Sequence, residues 1–203
     1  MTYSRYTLIP IYEPGLVCYP VVFYIDVMPV ILGIDPGSRV TGYGIVRLRS
    51  QNISYIDSGC IKTETKAPLP QRLMHIYEAV EKITQFYQPE HLAIEEVFVA
   101  HNPQSALKLG QARGAIIVAC LQQHIPVYEY AARRVKQAIT GYGNAEKQQI
   151  QYMVRQLLCL SKVPAQDAAD ALAVALCHGY HHKNGFCQQR ATHEITSKSN
   201  VFE

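Results

Sequence analysis

The sequence predicts an α/β protein in which a mixed five-stranded sheet carries helices on both faces. The chain has 203 residues, 48% of them apolar, which suits one buried core at about 100 to 200 residues per domain. Three strand-like segments follow one another between residues 30 and 62, and helical and strand-like segments alternate between residues 69 and 178. Hairpin-like strands followed by alternating helices and strands are typical of a mixed sheet covered by helices.

Five segments are predicted as strands. Residues 30–35 (V-I-L-G-I-D) form a short apolar run, which is typical of a strand buried on both faces. Residues 42–49 and 53–62 alternate apolar and polar side chains around Ser50-Gln51-Asn52, a pattern that predicts an antiparallel hairpin. The other two strands are predicted over residues 91–97 and 125–130.

Four segments are predicted as helices, over residues 69–87, 102–123, 144–160 and 164–178. Pro103 suits the first turn of the second helix, where its missing N–H leaves no hydrogen bond unmade. Asn144 is the predicted N-cap of the third helix, and Pro164 opens the last, alanine-rich helix. The second helix is predicted to approach the sheet or another helix closely through a stripe that includes small residues: Ala106, Gly110, Gly114, Ile117 and Leu121.

Both ends of the chain are expected to lie outside the globular domain. Residues 1–28 form an N-terminal extension with five of the 14 tyrosines, and its prolines interrupt the apolar run that a signal peptide needs. The domain itself is predicted over residues 29–180. Residues 181–203 are polar and lack helical periodicity, so a flexible C-terminal tail is expected.

The composition argues against several classes of protein. No stretch reaches the roughly 18 consecutive apolar residues of a membrane-spanning helix, so no membrane partner is expected. The six cysteines are widely spaced, which is typical of reduced thiols in a cytoplasmic protein. Eight of the 19 Lys and Arg residues lie within residues 97–166, together with two acidic residues. This basic segment suits a polyanionic partner, although a solvated basic face has the same composition.

Four acidic residues occupy positions that point to a common site. Asp35 ends the first predicted strand, and Glu95 lies near the end of a strand that is otherwise apolar. Asp167 and Asp170 are three residues apart and therefore share one face of the last helix, whose alanines allow it to lie close to the sheet. Four carboxylates in one place repel one another unless a cation binds between them, and Mg²⁺ or Mn²⁺ prefers such oxygen ligands.

Each of these acids also has a simpler structural explanation. Asp35 precedes Pro36-Gly37 and could form a turn. Asp167 and Asp170 could stabilise the N-terminal end of their helix. Glu95 is harder to explain in this way, because an acid in a buried strand rarely lacks a partner.

Five motifs occur in order between about Pro29 and His178, and they include neither terminal segment. The motifs are I-L-G-I-D-P-G-S-R-V-T-G-Y-G (31–44), A-I-E-E-V-F (93–98), S-A-L-K-L-G-Q-A-R-G (105–114), E-Y-A-A-R-R-V-K-Q (129–137) and D-A-A-D-A-L-A (167–173). In sequence and order they resemble the bacterial RuvC family of crossover junction endodeoxyribonucleases.

The resemblance implies an RNase H-like fold and a homodimer that resolves Holliday junctions by paired, symmetric nicks in DNA recombination and repair. It implies two-metal-ion phosphodiester hydrolysis with Mg²⁺, for which Mn²⁺ can substitute. The catalytic and metal-binding acids that it implies are Asp35, Glu95, Asp167 and Asp170. The implied partners are four-way junction DNA and the RuvA and RuvB branch-migration proteins, and the implied location is the cytoplasm.

The resemblance also assigns DNA contacts. Phe98 stacks on a base of the junction by this assignment, although it could instead pack at the edge of the core. Lys136 and Lys147 resemble the family's DNA-binding lysines. Lys147 has independent support, because residues 141–144 (G-Y-G-N) lead into a helix whose free N–H groups attract phosphate.

Two other classes of function remain open at this point. An ATPase of the actin and sugar-kinase type carries Asp-x-Gly phosphate loops, a pattern that both Asp35-Pro36-Gly37 and Asp57-Ser58-Gly59 match. However, the second match lies within a predicted strand, and the chain is short for two such lobes. A catalytically inactive junction-binding module is the other alternative, and the presence of all four acids argues against it.

Overall fold

The computed structural model describes residues 29–49, 52–97 and 103–199, with side chains described as far as His182. The predicted extension, residues 1–28, and Phe98 lie outside the described residues. Ten elements follow in chain order: β1 (Val30–Asp35), β2 (Val40–Leu48), β3 (Ile53–Lys62), α1 (Leu69–Tyr87), β4 (His91–Glu95), α2 (Pro103–Gln122), β5 (Val127–Tyr130), α3 (Ala132–Thr140), α4 (Lys147–Leu157) and α5 (Gln166–Ser199).

The strands form one five-stranded sheet in the order β3-β2-β1-β4-β5. β2 pairs antiparallel with both β1 and β3, whereas β4 pairs parallel with both β1 and β5. The predicted mixed sheet is therefore confirmed. A parallel pair brings the carboxyl ends of its strands to the same edge, so β1 and β4 end side by side.

Helices cover both faces of the sheet, because successive strand side chains point to opposite faces. Leu32 and Ile34 of β1 are fully buried against the layer that contains α1 and α2. Ile31 belongs to the other core cluster, with residues of α3, α4 and α5. None of the helices in the described ranges is long and apolar enough to cross a membrane.

Helix α5 lies in direct contact with β1 and β2. A Cβ atom added at Gly42 of β2 would come within 1.9 Å of the carbonyl oxygen of Asp167, and one added at Gly33 of β1 would come within 2.2 Å of the carbonyl oxygen of Ala171. Only glycine leaves room for this approach. The predicted close contact of the alanine-rich helix is therefore confirmed, and strand glycines supply the other half of it.

One helix was not predicted from the sequence, and another begins later than predicted. Helix α3 was not predicted, because its nine residues bury only Val135 and Ile139 and no side chain caps its N-terminus at Ala131. Helix α4 begins at Lys147 rather than after Asn144. Its N-cap is Glu146, which forms a reciprocal capping box with Gln149.

The last helix is longer than predicted. Its expected end was near His178, but the backbone stays helical to Ser199, through most of the expected tail. His178 is buried, and its ring nitrogens lie 2.7 Å from the Tyr130 hydroxyl and 2.9 Å from the His91 ring. These polar contacts join the helix to β4 and β5 at the point where the apolar pattern ends. The domain limits of 29–180 stay a prediction.

The glycines of the predicted contact stripe of α2 make no close contact within the described subunit, so the predicted approach to the sheet is wrong. Close approach of a helix from a second subunit stays a prediction. An added Cβ at Gly110 or Gly114 would meet nothing within 4 Å, and Leu121 is exposed. The buried face instead contains Ala112, Ile116, Ala119 and Cys120. Small residues permit a close approach without requiring it. The buried face belongs to the same core cluster as the buried residues of α1.

The contact at Gly42 yields a stability test. Gly42→Ala should lower the free energy of unfolding by about 1 to 3 kcal/mol, because the added methyl group overlaps the backbone of α5. Gly110→Ala adds the same methyl group in open space within a helix and should raise stability by about 0.5 to 1 kcal/mol. Urea unfolding of submicromolar protein, followed by tyrosine fluorescence, measures both. Equal effects of the two substitutions would contradict the assigned contact.

Candidate active site

Asp35 and Glu95 lie side by side at one edge of the sheet. Ile34 and Ile94 are register partners in the parallel pair of β1 and β4, and the two acids follow them directly. Alternation places Asp35 on the same face as Gly33, which contacts α5, and Glu95 on the same face as Ala93. Both acids therefore project toward the α5 layer, and both are half-buried.

Asp167 and Asp170 reach this edge because α5 begins there. Gly42 is the register partner of Asp35, and it lies against the backbone of Asp167. The spacing of three places Asp170 on the same side of the helix. The structure thus brings together the four acids that the sequence singled out.

The electrostatics of these acids reflect their crowding. Burial, together with the charges of Glu95, Asp170 and Asp167, raises the pKa of Asp35 to about 7. Burial and the charge of Asp170 raise the pKa of Glu95. Burial raises the pKa of Asp170 as well, and Asp167 adds to that effect. Each carboxylate therefore disfavours ionisation of its neighbours, which is the condition that a bound cation relieves.

Both predicted DNA-binding lysines lie close to the acids. The Lys147 ammonium nitrogen is 3.6 Å from Oδ2 of Asp170. Its charge lowers the pKa of Asp35, Glu95 and Asp170, opposing the effect of burial. Lys136 lowers the pKa of Glu95 and Asp170 in the same way. The four acids and these two lysines form one group, here called the carboxylate cluster.

Three side chains beside the cluster were missed from the sequence. Arg113 of α2 donates to the Glu95 carbonyl oxygen at 3.3 Å and forms an ion pair with Glu129 of β5. Cys60 lies close enough to Asp167 and Asp35 for their charges to contribute to the raised pKa of its thiol. Cys60 is the register partner of Gly42. Its place beside the acids therefore follows from the register of the hairpin, which the alternating sequence pattern alone does not reveal.

The donor set of the cluster fits a hard divalent cation. Its potential ligands are carboxylate oxygens, and their mutual repulsion calls for positive charge between them. Within the described part of the chain, no three His, Cys, Asp or Glu side chains are arranged to enclose a metal ion. Mg²⁺ does not need such an enclosure, because it keeps several waters and is usually held by one or two carboxylates together with substrate phosphates. The open cluster therefore suits Mg²⁺ better than an ion that demands a complete protein cage.

The structure argues against the ATPase alternative. Asp57, which would begin the second phosphate loop, lies within β3. Its Oδ2 accepts hydrogen bonds from the hydroxyl groups of Tyr43 at 3.0 Å and Tyr87 at 2.6 Å. A carboxylate occupied by two tyrosines in a strand has a structural role and forms no loop around a nucleotide phosphate.

Comparison with known proteins identifies a single family. A family model described as "Crossover junction endodeoxyribonuclease RuvC" matches residues 31–178. A protein of that name from Photorhabdus laumondii is 55% identical over 157 residues, which are 77% of this chain and 90% of the relative. Another from Cronobacter sakazakii is 55% identical over 174 residues, which are 86% of this chain and 96% of the relative.

Solved structures agree with the sequence comparison. T. thermophilus RuvC in complex with Holliday junction substrate has a TM-score of 0.72 and 35% identity, over 77% of this chain and 96% of that one. The yeast mitochondrial Holliday junction resolvase has a TM-score of 0.54 at 12% identity, over 81% of this chain and 88% of that one, and so shares the fold. The fold is RNase H-like, as the sequence resemblance implied.

The raised pKa of Asp35 yields a test of the cluster's electrostatics. Folding raises this pKa from an ordinary 3.8 to about 7, so the folded state binds the proton more tightly. The group's contribution to stability is therefore full below pH of about 4 and is lost as the pH rises through 7. In metal-free buffer, Asp35→Asn should be more stable than wild type at pH 8, and by a smaller margin at pH 5. Thermal unfolding with a chelator present measures the difference.

Glu78→Gln is the matched control, because Glu78 is exposed on α1, which packs on the face of the sheet opposite α5. It should leave the melting temperature almost unchanged at both pH values. An Asp35→Asn protein less stable than wild type at pH 8 would show that the carboxylate is not destabilised by its surroundings.

Proposed function

The chain belongs to the RuvC family of crossover junction endodeoxyribonucleases, and from this premise we propose that its carboxylate cluster is the centre that hydrolyses DNA. The protein is accordingly a Holliday junction resolvase, a nuclease of DNA recombination and repair. The observation that carries the assignment of the site is the convergence of Asp35, Glu95, Asp167 and Asp170 at one sheet edge. Burial, together with a neighbouring carboxylate, raises the pKa of three of them.

Asp35 holds the central position in the proposed site. It lies between Glu95 on the neighbouring strand and the two aspartates of α5, and its pKa responds to all three. The four acids would hold Mg²⁺, two ions per site, with Mn²⁺ as a substitute. When bound, divalent cations would lower the pKa of a water nucleophile and neutralise charge on the scissile phosphate.

The rigid part of the site is its backbone. Asp35 and Glu95 are fixed by strand pairing, and Arg113 ties the end of β4 to β5 through the Glu95 carbonyl and Glu129. The aspartates of α5 are fixed by the contact at Gly42. Such support holds reacting groups in place without movement during catalysis, which is where much of a nuclease's rate enhancement originates.

Lys136 and Lys147 are proposed to bind DNA phosphates beside the acids. They belong to α3 and α4, and these two helices carry most of the Lys and Arg residues of the basic segment, residues 97–166. Lys147 is exposed and is the first residue of α4, where the free N–H groups of the helix also favour an anion. Stacking of Phe98 on an unpaired base completes the proposal for substrate contacts.

We further propose a homodimer that uses the exposed side of α2. That side carries three exposed apolar residues, Leu107 at 69%, Val118 at 49% and Leu121 at 51% exposure. Gly110 and Gly114 lie between them with open space around them. Spacings of three, four and seven place these residues on one helical face, and open glycines allow a second helix to approach closely. Two copies would supply the two cuts that a two-fold junction requires.

On the same premise, the protein is proposed to act in the cytoplasm with the RuvA and RuvB branch-migration proteins.

Incubation with synthetic DNA tests the assignment of the active site. With Mg²⁺, the wild type should nick a four-way junction symmetrically and leave a linear duplex intact. Asp35→Asn preserves side-chain size and removes one charge, so nicking should fall by at least about 100-fold, while junction binding measured by gel shift stays within a few-fold of wild type. Glu78→Gln should nick at the wild-type rate. Unimpaired nicking by Asp35→Asn in saturating Mg²⁺ would refute the carboxylate mechanism.

Sedimentation tests the proposed dimer. Wild type should sediment as a dimer, and Val118→Glu should sediment as a monomer, because a two-fold axis places the introduced charges in the same buried contact. Val163→Glu is the control, since Val163 is 53% exposed on the α4–α5 loop and should leave the dimer intact. A wild type that stays monomeric with and without junction DNA would contradict the proposal.

A further inference from the structure

Within the described residues, the four acids form one ion pair, which joins Asp170 to Lys147. Its ammonium nitrogen lies 3.6 Å from Oδ2 of Asp170, and the two side chains are unequally exposed, 64% for Lys147 and 18% for Asp170. The pair therefore joins a largely solvated cation to a largely enclosed anion. Lys136 has no such contact with any of the acids in the described structure.

The geometry of this pair makes it easy to break. The lysine head is a compact charge on a flexible four-carbon stem, and at this distance it is in ionic contact without a short hydrogen bond. The lysine head is exposed, so water and salt compete with Asp170 for it. The ammonium group can leave once another cation compensates the enclosed carboxylate, but while it stays it occupies part of the space and neutralises part of the charge of the cluster.

We propose that Lys147 serves as a resident cation of the metal-free cluster, which a divalent ion must displace from Asp170. The inference rests on the proposed function, in which Asp170 is a metal ligand and Lys147 binds a DNA phosphate. Displacement by the metal frees the lysine for the phosphate, so the two roles follow one another. Metal binding and DNA binding then favour each other, because each removes Lys147 from the position that opposes the other.

In this proposal a cation occupies the cluster both without metal and with it. Without metal, the positive charge of Lys147 limits the repulsion among the acids, as its lowering of three carboxyl pKa values indicates. With metal, a second positive charge in the same place would be repelled. The lysine would then move outward, in the direction from which the anionic backbone arrives.

Titration of metal-free protein with Mn²⁺, in the absence of DNA, tests the inference by calorimetry. Lys147→Met keeps the length of the side chain and removes its charge, so the dissociation constant for Mn²⁺ should fall about 3-fold to 10-fold. Lys147→Arg keeps a cation that can pair with Asp170 and should bind Mn²⁺ no more tightly than wild type. Circular dichroism confirms that each variant is folded.

Two control substitutions separate displacement from a general electrostatic effect. Lys136→Met removes a nearby charge that makes no ion pair with the acids, so it should gain clearly less affinity than Lys147→Met. Lys162→Met removes an exposed lysine from the α4–α5 loop and should have no effect. Equal gains for Lys136→Met and Lys147→Met, or no gain for Lys147→Met, would overturn the inference.

Failure of this inference is distinguishable from failure of the proposed function. If neither wild type nor Lys147→Met binds Mn²⁺ without DNA, nothing is displaced and the inference is wrong. Symmetric nicking of the junction in Mg²⁺ would still support the proposed active site in that case, because DNA phosphates would complete the metal shell.

Discussion

The contact of helix α5 with strands β1 and β2 is the constraint on which the rest of the molecule depends. Gly42 and Gly33 carry no side chain, so the helix backbone lies directly on the sheet. The same contact buries one of the two cores and sets Asp167 beside the strand end of Asp35. Packing and chemistry are therefore not separable here: any residue that lifts the helix enlarges a cavity in the core and moves half of the acids away from the other half.

The acids impose a stability cost that the rest of the fold must offset. Burial and like charge together hold Asp35 at a pKa of about 7, well above its ordinary value. Buried residues from all five strands and from the helices on both faces supply the offset. Functional sites commonly lower stability in this way. Groups that repel one another are kept together because the same repulsion favours binding of a cation.

Much of the fold, and the grouping of the four acids of the candidate site, could be predicted from sequence, for reasons visible in particular residues. The apolar run of β1 has the bounds that its pattern indicated, and the spacing of Asp167 and Asp170 gave their common helix face. Properties that arise from tertiary contact could not be predicted. The ion pair of Lys147 and Asp170 joins two helices, the position of Cys60 follows from hairpin register, and His178 joins α5 to two strands that are distant in the sequence.

Helix α2 takes part in two of the contacts described above. Arg113 is bonded to the carbonyl of Glu95 and to Glu129, and the exposed side of the same helix carries Leu107, Val118 and Leu121, the surface proposed to meet a second copy. In that dimer, the two α2 helices would touch each other while each also holds the end of a β4 strand. The contact surface and the support of the β4 end would therefore share one helix.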